Sequence, residues 1–103
     1  MSQKANQAPV EDNAPHLLVV DDDTRIRTLL SQYLVEQRFR VTVAATASEA
    51  RRKLDSLDFD LLILDVMMPG ESGVELTKSL RQTKDVPILM LTAKGREEDI
   101  VRG

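Results

Sequence analysis

Asp65 closes a run of four consecutive aliphatic residues, Leu61-Leu62-Ile63-Leu64, and is followed by Val66-Met67-Met68-Pro69-Gly70. A second aliphatic run, Leu17-Leu18-Val19-Val20, ends in Asp21-Asp22-Asp23, and a third, Val86 to Leu91, ends in Thr92. Taken singly these residues have ordinary uses, since aspartates and threonines cap helices and close strands. Brought to one place, carboxylates repel and raise one another's pKa unless a cation sits among them. Hard oxygen donors without histidine or cysteine favour Mg2+, which keeps several waters and accepts one or two carboxylates together with phosphate oxygens. A hydroxyl at Thr92 on the same rim would donate to a phosphoryl oxygen or cap the following helix. The single histidine, His16, precedes the first run and reads as a solvated tail residue.

Convergence depends on the elements that carry these residues. An unbroken aliphatic run reads as a strand buried on both faces, the central position of a parallel sheet with helices on either side. Pro69 lacks an amide donor and Gly70 tolerates turn dihedrals, so Asp65 is expected at the carboxyl mouth of its strand, where open α/β sheets bind ligands. After the first strand, Ile26, Leu29, Leu30, Tyr33 and Leu34 fall at i, i+3, i+4, i+7 and i+8, the stripe of an amphipathic helix that Asp22, Asp23 or Thr24 would cap. Arg38 follows at a position where a left-handed residue, and therefore glycine, is expected. Phe39 to Val43 alternates with period two and reads as an edge strand with one solvated face. Thr46 with Glu49 and Ser72 with Glu75 are capping boxes. The first opens a helix to about Leu57 with an inner stripe of Ala47, Ala50, Leu54 and Leu57. The second opens a helix carrying Val74, Leu76 and Leu80 to about Gln82. Val86 to Leu91 is expected as a buried fourth strand, and a further helix begins near Gly95.

Strand and helix alternate four times, which predicts a doubly wound parallel α/β sheet with right-handed crossovers. With the edge-like second strand on one side of the first and the third on the other, the order is 2-1-3-4, and the winding reverses between strands one and three. Those two strands end in Asp21-Asp22 and in Asp65. Neighbouring strands lie about 4.8 Å apart, so three carboxylates from distant sequence meet in the crevice.

Composition bounds the remaining possibilities. At 103 residues the chain is expected to form one domain, with residues 1–15 as a flexible polar tail and 16–103 as the folded part. No stretch approaches the roughly 18 apolar residues of a membrane span, and no apolar leader is present, so the expectation is a soluble, cytoplasmic protein with no membrane contact. There are no cysteines, which removes disulfides and thiolate chemistry. A net charge of −3 with dispersed basic residues argues against the domain itself holding a phosphate backbone. The densest basic run, Arg51-Arg52-Lys53, reads as a solvated helix face.

The wording of three segments resembles a known family. Leu18-Val19-Val20-Asp21-Asp22-Asp23, Leu64 to Gly70 with Gly73, and Leu91-Thr92-Ala93-Lys94-Gly95 are similar to the motifs of bacterial two-component response-regulator receiver domains, most closely those of OmpR-type transcriptional regulators. The resemblance runs from Leu17 to Gly103 and implies a flavodoxin-like fold. It implies that Asp65 is the phosphoacceptor, taking a phosphoryl group from the phosphohistidine of a sensor histidine kinase. Asp21, Asp22, Asp65 and the Met67 backbone carbonyl would hold Mg2+, and Thr92 would be the switch hydroxyl. The domain would be a switch that promotes only its own phosphorylation and dephosphorylation, with transcription as its output.

The family's domain has a fifth strand, a lysine after it, an aromatic residue on it and a last helix, and this sequence carries none of them, so the reading is of a receiver incomplete at its C-terminus. An uncovered fourth strand leads to an expectation of self-association. DNA contact would require a C-terminal effector domain that this chain lacks. Two other readings compete. A haloacid-dehalogenase-like phosphohydrolase also pairs an Asp nucleophile with Mg2+, but Arg25 falls where its strand-one motif needs threonine or valine. A stand-alone or non-phosphorylated receiver-like interaction module would dock partners without Mg2+-dependent labelling.

Overall fold

A computed structural model describes residues 11–91. The elements are β1 (His16–Val20), α1 (Thr24–Glu36), β2 (Arg40–Ala44), α2 (Ala47–Ser56), β3 (Leu61–Asp65), α3 (Gly73–Leu80) and β4 (Ile88–Leu91). All pairings are parallel and the sheet order is β2-β1-β3-β4, as the strand patterns predict. The register aligns the carboxyl ends, with Val20 opposite both Ala44 and Leu64, and Asp65 opposite Leu91.

The two central strands alternate their side chains between two cores. Leu18, Val20, Leu62 and Leu64 pack with Ala47, Ala50 and Leu54 of α2 and Leu76 and Leu80 of α3 on one face. Leu17, Val19 and Ile63 pack with Leu34 and Leu30 of α1 on the other. Burial on both faces explains why β1 and β3 lack polar alternation.

Several expectations need correction. On α1 only Leu34 is buried and Leu30 packs beside it, whereas Leu29 and Tyr33 are 62% and 58% exposed. Leu30 and Leu34 form one i, i+4 ridge against the sheet. Leu29 and Tyr33 form the parallel ridge one position back, which turns away from it. The strand expected at Phe39 starts at Arg40, and Arg40 to Val43 are all half-buried, because Phe39, Val41 and Val43 join the α1-side core. Leu57 is the extended residue that closes α2 and is exposed, as is Val74 on α3. α3 ends at Leu80, short of Gln82. β4 starts two residues later than the hydrophobic run, since Pro87 has no donor and contributes only its carbonyl to the Leu62 N–H at 2.9 Å. Leu89 and Met90 of β4 are 50% and 40% exposed, so this strand is not buried. Among the described residues it is the outermost strand on its side of the sheet.

His16 is not a free tail residue. It opens β1, its amide donates to the Asp60 carboxylate at 2.8 Å, its Nε2 lies 2.7 Å from Thr42 Oγ1, and its ring packs at a tilt of 47° against Phe59. Burial, with help from Arg40, holds its pKa below the usual histidine value. Residues 1–10 of the expected tail lie outside the described residues; the carbonyls of Ala14 and Pro15 accept hydrogen bonds from Arg40. Thr92 and the helix expected near Gly95 also lie outside the described residues.

Helix ends follow the sequence signals closely. Asp23 caps α1, accepting from the amides of Arg25 and Ile26. Ser72 and Glu75 form a complete capping box. Thr46 accepts from the Glu49 amide, but Glu49 reaches one residue further back, to the Ala45 amide at 2.6 Å. At the end of α1 the Phe39 N–H bonds Leu34 O and the Arg38 N–H bonds Val35 O, a Schellman motif whose left-handed residue is Arg38 at φ 75°. An L-residue there costs roughly 1–2 kcal/mol, partly offset by the extra chain entropy glycine loses on folding. Arg38→Gly is therefore expected to stabilise the domain by about 0.5–1 kcal/mol in a denaturant titration; a lower unfolding midpoint would contradict the strain argument.

Candidate functional site

The β-α turns after β1 and β3 leave the sheet side by side, because the two strands pair in register up to Val20 and Leu64. Asp21 continues the ladder, its amide donating to Ala44 O at 3.1 Å. Its carbonyl accepts from Arg27 Nη1 at 2.7 Å, and its Oδ1 accepts from the Asp23 amide at 2.9 Å. These contacts fix the turn so that Asp21 is buried while Asp22 is exposed at the rim. Asp23, indistinguishable from its neighbours in sequence, turns away to cap α1.

Asp65 is the last residue of β3 and is only 4% exposed. Its Oδ1 accepts from the Met67 amide at 3.1 Å, which orients the carboxylate. The chain beyond it is tied at its root, with the Val66 amide on Leu91 O and the Gly73 amide on Val66 O, both at 2.9 Å. A Cβ on Gly73 would sit 2.4 Å from Asp65 O and 2.9 Å from Val66 Cα, so only glycine allows α3 to start this close to the strand. Gly70 turns the loop at φ 80°, and Met68 anchors it in the core.

One oxygen from each of Asp21, Asp22 and Asp65 lies within 4.8 Å of the others. This is the convergence expected from the strand order. The pKa of Asp21 is raised, chiefly by burial, with the charges of Asp65, Asp22 and Asp23 adding to the shift and the hydrogen bond from the Asp23 amide opposing it. An all-oxygen set with two buried members and one open to solvent suits a hard divalent cation that retains waters. Mg2+ therefore fits the residues present.

The profile of the response regulator receiver domain family matches residues 17–103. The chain belongs to that family. The receiver domain is 52% identical over 89 residues to Protein PetR of Rhodobacter capsulatus, a match covering 86% of this chain and 38% of that protein. It is 43% identical over 93 residues to the transcriptional regulatory protein ResD of Bacillus subtilis, covering 90% of this chain and 39% of ResD. The receiver thus spans about two-fifths of the length of these relatives. Among solved structures, the chemotaxis protein CheY4 of Vibrio cholerae matches with a TM-score of 0.75 at 38% identity, over 87% of this chain and 78% of CheY4. TrrA of Thermotoga maritima in complex with Mg2+-BeF matches with a TM-score of 0.73 at 39% identity, over 82% of this chain and 76% of that one. A structure of the histidine kinase ThkA in complex with TrrA matches with a TM-score of 0.73 at 42% identity, over 77% and 69%. The fold is therefore the flavodoxin-like receiver fold, and the family is that of two-component response regulators.

Arg27 and Glu71, near the site, were not singled out in sequence, and Arg51, read there as part of a solvated helix face, is instead half-buried and paired. Arg27 holds the Asp21 carbonyl. Arg51 makes a two-pronged ion pair with Glu71 in the acceptor loop, with Nη1 on Oε1 and Nη2 on Oε2. The rest of the basic run is also committed, Lys53 to Val43 O at 2.8 Å and Arg52 to Ser48. Nothing local in the sequence marks Arg51, whose partner lies 20 positions away. No helix among the described residues is long and apolar enough to cross a membrane.

Because Asp21 has a raised pKa in the folded state, its contribution to stability is present below its unfolded pKa and is lost as the pH rises through the folded value. At neutral pH in the absence of divalent cations, the ionised cluster works against folding. Asp21→Asn is expected to raise the melting temperature by a few degrees at pH 7 in EDTA, with the gain shrinking toward pH 3.8 and Mg2+ stabilising the wild type more than the variant. A variant that melts below wild type in EDTA would show that the cluster carries no electrostatic cost.

Proposed function

We propose that this receiver accepts a phosphoryl group on Asp65 from the phosphohistidine of a sensor histidine kinase and so switches a downstream output, of which transcription is the one its relatives suggest. The observation that carries the reading is the placement of a buried, oriented Asp65 within 4.8 Å of the oxygens of Asp21 and Asp22 at the mouth of the central strands. TrrA, similar in fold and sequence, has been captured with Mg2+-BeF and in complex with a histidine kinase, which supports both the cation and the partner. ResD and CpxR are named as transcriptional regulatory proteins, and the receiver covers only 39% and 37% of them. DNA contact is accordingly assigned to a further segment and not to this domain. In this reading the receiver works in the cytoplasm, with no membrane contact of its own.

Asp21, Asp22, Asp65 and the Met67 backbone carbonyl would hold Mg2+, which when bound neutralises charge on the phosphoryl oxygens. Asp65 supplies the nucleophile: a carboxylate oxygen forms the new O–P bond as the P–N bond of the phosphohistidine breaks and the imidazole leaves. The Met67 N–H on Oδ1 holds one carboxylate oxygen in place and leaves the other to react. Each acceptance fills the site until the acyl phosphate is hydrolysed, so the residue acts as a switch and not as a turnover catalyst. Thr92 follows Leu91, the register partner of Asp65, and is proposed as the hydroxyl that donates to the phosphoryl group and transmits the change.

Intact mass after incubation with acetyl phosphate tests the reading. A single phosphoryl addition is expected with Mg2+, none with EDTA, and none in Asp65→Asn, whose circular dichroism should match wild type. Labelling of the asparagine variant at the wild-type rate would defeat it. Thr92→Ala is expected to take up the phosphoryl group as wild type does but to lose most of the amide chemical-shift change that follows in wild type; an undiminished change would remove Thr92 from the switch.

A further inference from the structure

The loop that follows Asp65 carries the amide that orients the acceptor carboxylate, yet its root contacts do not determine its course. The Val66 and Gly73 bonds fix where it leaves and returns. Between them lie Pro69 and Gly70, and Gly70 sits at positive φ, where many loop paths are open. Met68 is the loop's hydrophobic anchor, and Met67 is 52% exposed. Three contacts hold the path between them: the Met68 side chain in the core, the Ser72 cap on α3, and the Glu71 carboxylate on Arg51, which ties the loop to α2.

Resting on the phosphoacceptor reading above, we propose that the Arg51–Glu71 pair is a positioning clamp, through which α2 holds the acceptor loop in the course that aims the Met67 peptide at Asp65. The guanidinium meets the carboxylate with two parallel N–H donors, Nη2 to Oε2 at 2.6 Å, so it constrains direction as well as distance. The side chains are 37% and 28% exposed, and a pair so placed adds little to global stability. Its effect is on geometry. The hydrogen bond holds the Glu71 carboxyl below and the Arg51 guanidinium above their ordinary pKa values, so the pair stays fully ionised at physiological pH. Arg51 lies one turn into α2, and Ala47, Ala50 and Leu54 bury that helix in the core, so the clamp is mounted on a fixed element.

For Arg51→Ala, electrostatics alone and the clamp make opposite predictions, which makes the inference testable. Removing a cation near an acidic cluster raises its affinity for a divalent cation, and removing an anion lowers it. If the pair works by holding the loop, Arg51→Ala and Glu71→Ala both weaken Mg2+ binding by about tenfold, the scale seen when supporting contacts around a metal site are lost. Both also slow acetyl phosphate labelling by a similar factor and speed hydrogen exchange of the Met67 amide in the metal-free protein. The double alanine variant is no worse than either single one, and the exchanged pair Arg51→Glu with Glu71→Arg recovers most of the loss.

The full 103-residue chain serves for calorimetric Mg2+ titration, amide exchange by NMR and labelling, with melting temperatures recorded for every variant. Higher Mg2+ affinity in Arg51→Ala, unchanged Met67 exchange, or no recovery in the exchanged pair would overturn the clamp. If the alanine variants fail to fold, Arg51→Lys and Glu71→Gln carry the same test, because each keeps the size of its side chain and loses the two-pronged contact. Wild type that takes no phosphoryl group would sink the functional reading while the exchange and titration arms still decide the clamp. Wild type that labels normally beside an unaffected Arg51→Ala would sink the clamp alone.

Discussion

The structure depends on the pairing of β1 with β3. Leu18 and Val20 on one strand and Leu62 and Leu64 on the other are fully or almost fully buried, and their in-register contact fixes how far each strand extends toward the rim. A slip of one residue would turn every one of these side chains to the opposite face. It would also carry Asp65 away from Asp21. Hydrophobic registration therefore does work that the carboxylates cannot do for themselves, since their mutual repulsion favours separation.

Around that axis the chain supports the acidic cluster with two backbone amides and one guanidinium. Asp21 is held through its carbonyl by Arg27 and through its carboxylate by an amide, and Asp65 through an amide two residues on. Only Asp22 is left open. The arrangement gives two oriented, buried carboxylates and one open to solvent, which suits a cation that retains waters.

Much of this was legible in the sequence, for identifiable reasons. Unbroken aliphatic runs named the central strands, and the carboxylates ending them named the rim, because strand and helix alternation leaves little freedom of topology. The capping residues were readable because they act within four positions of their partners. Failures arose where the deciding contact is distant or where several equivalent residues compete. Leu29 and Leu30 have the same chemistry, and only the position of the sheet decides which one packs. Asp22 and Asp23 are likewise equivalent until the first turn of α1 claims one of them. Glu71 and Arg51 meet across 20 positions with no periodic signal between them. Arg38 was readable as a left-handed position from its place after the helix, although its residue type argues against it.

The three helix caps described above share a location. Asp23, Thr46 and Ser72 each follow a strand of a parallel sheet, so all three helices begin at the rim where Asp21, Asp22 and Asp65 gather. The aligned peptide dipoles of a helix place roughly half a positive charge at its amino end. The backbone thus surrounds the acidic side chains with a partial countercharge that no residue count reveals and that no single substitution removes. A net charge computed from side chains overstates how negative this rim is. The same connectivity that assembles the carboxylates also moderates the field that an incoming anion meets.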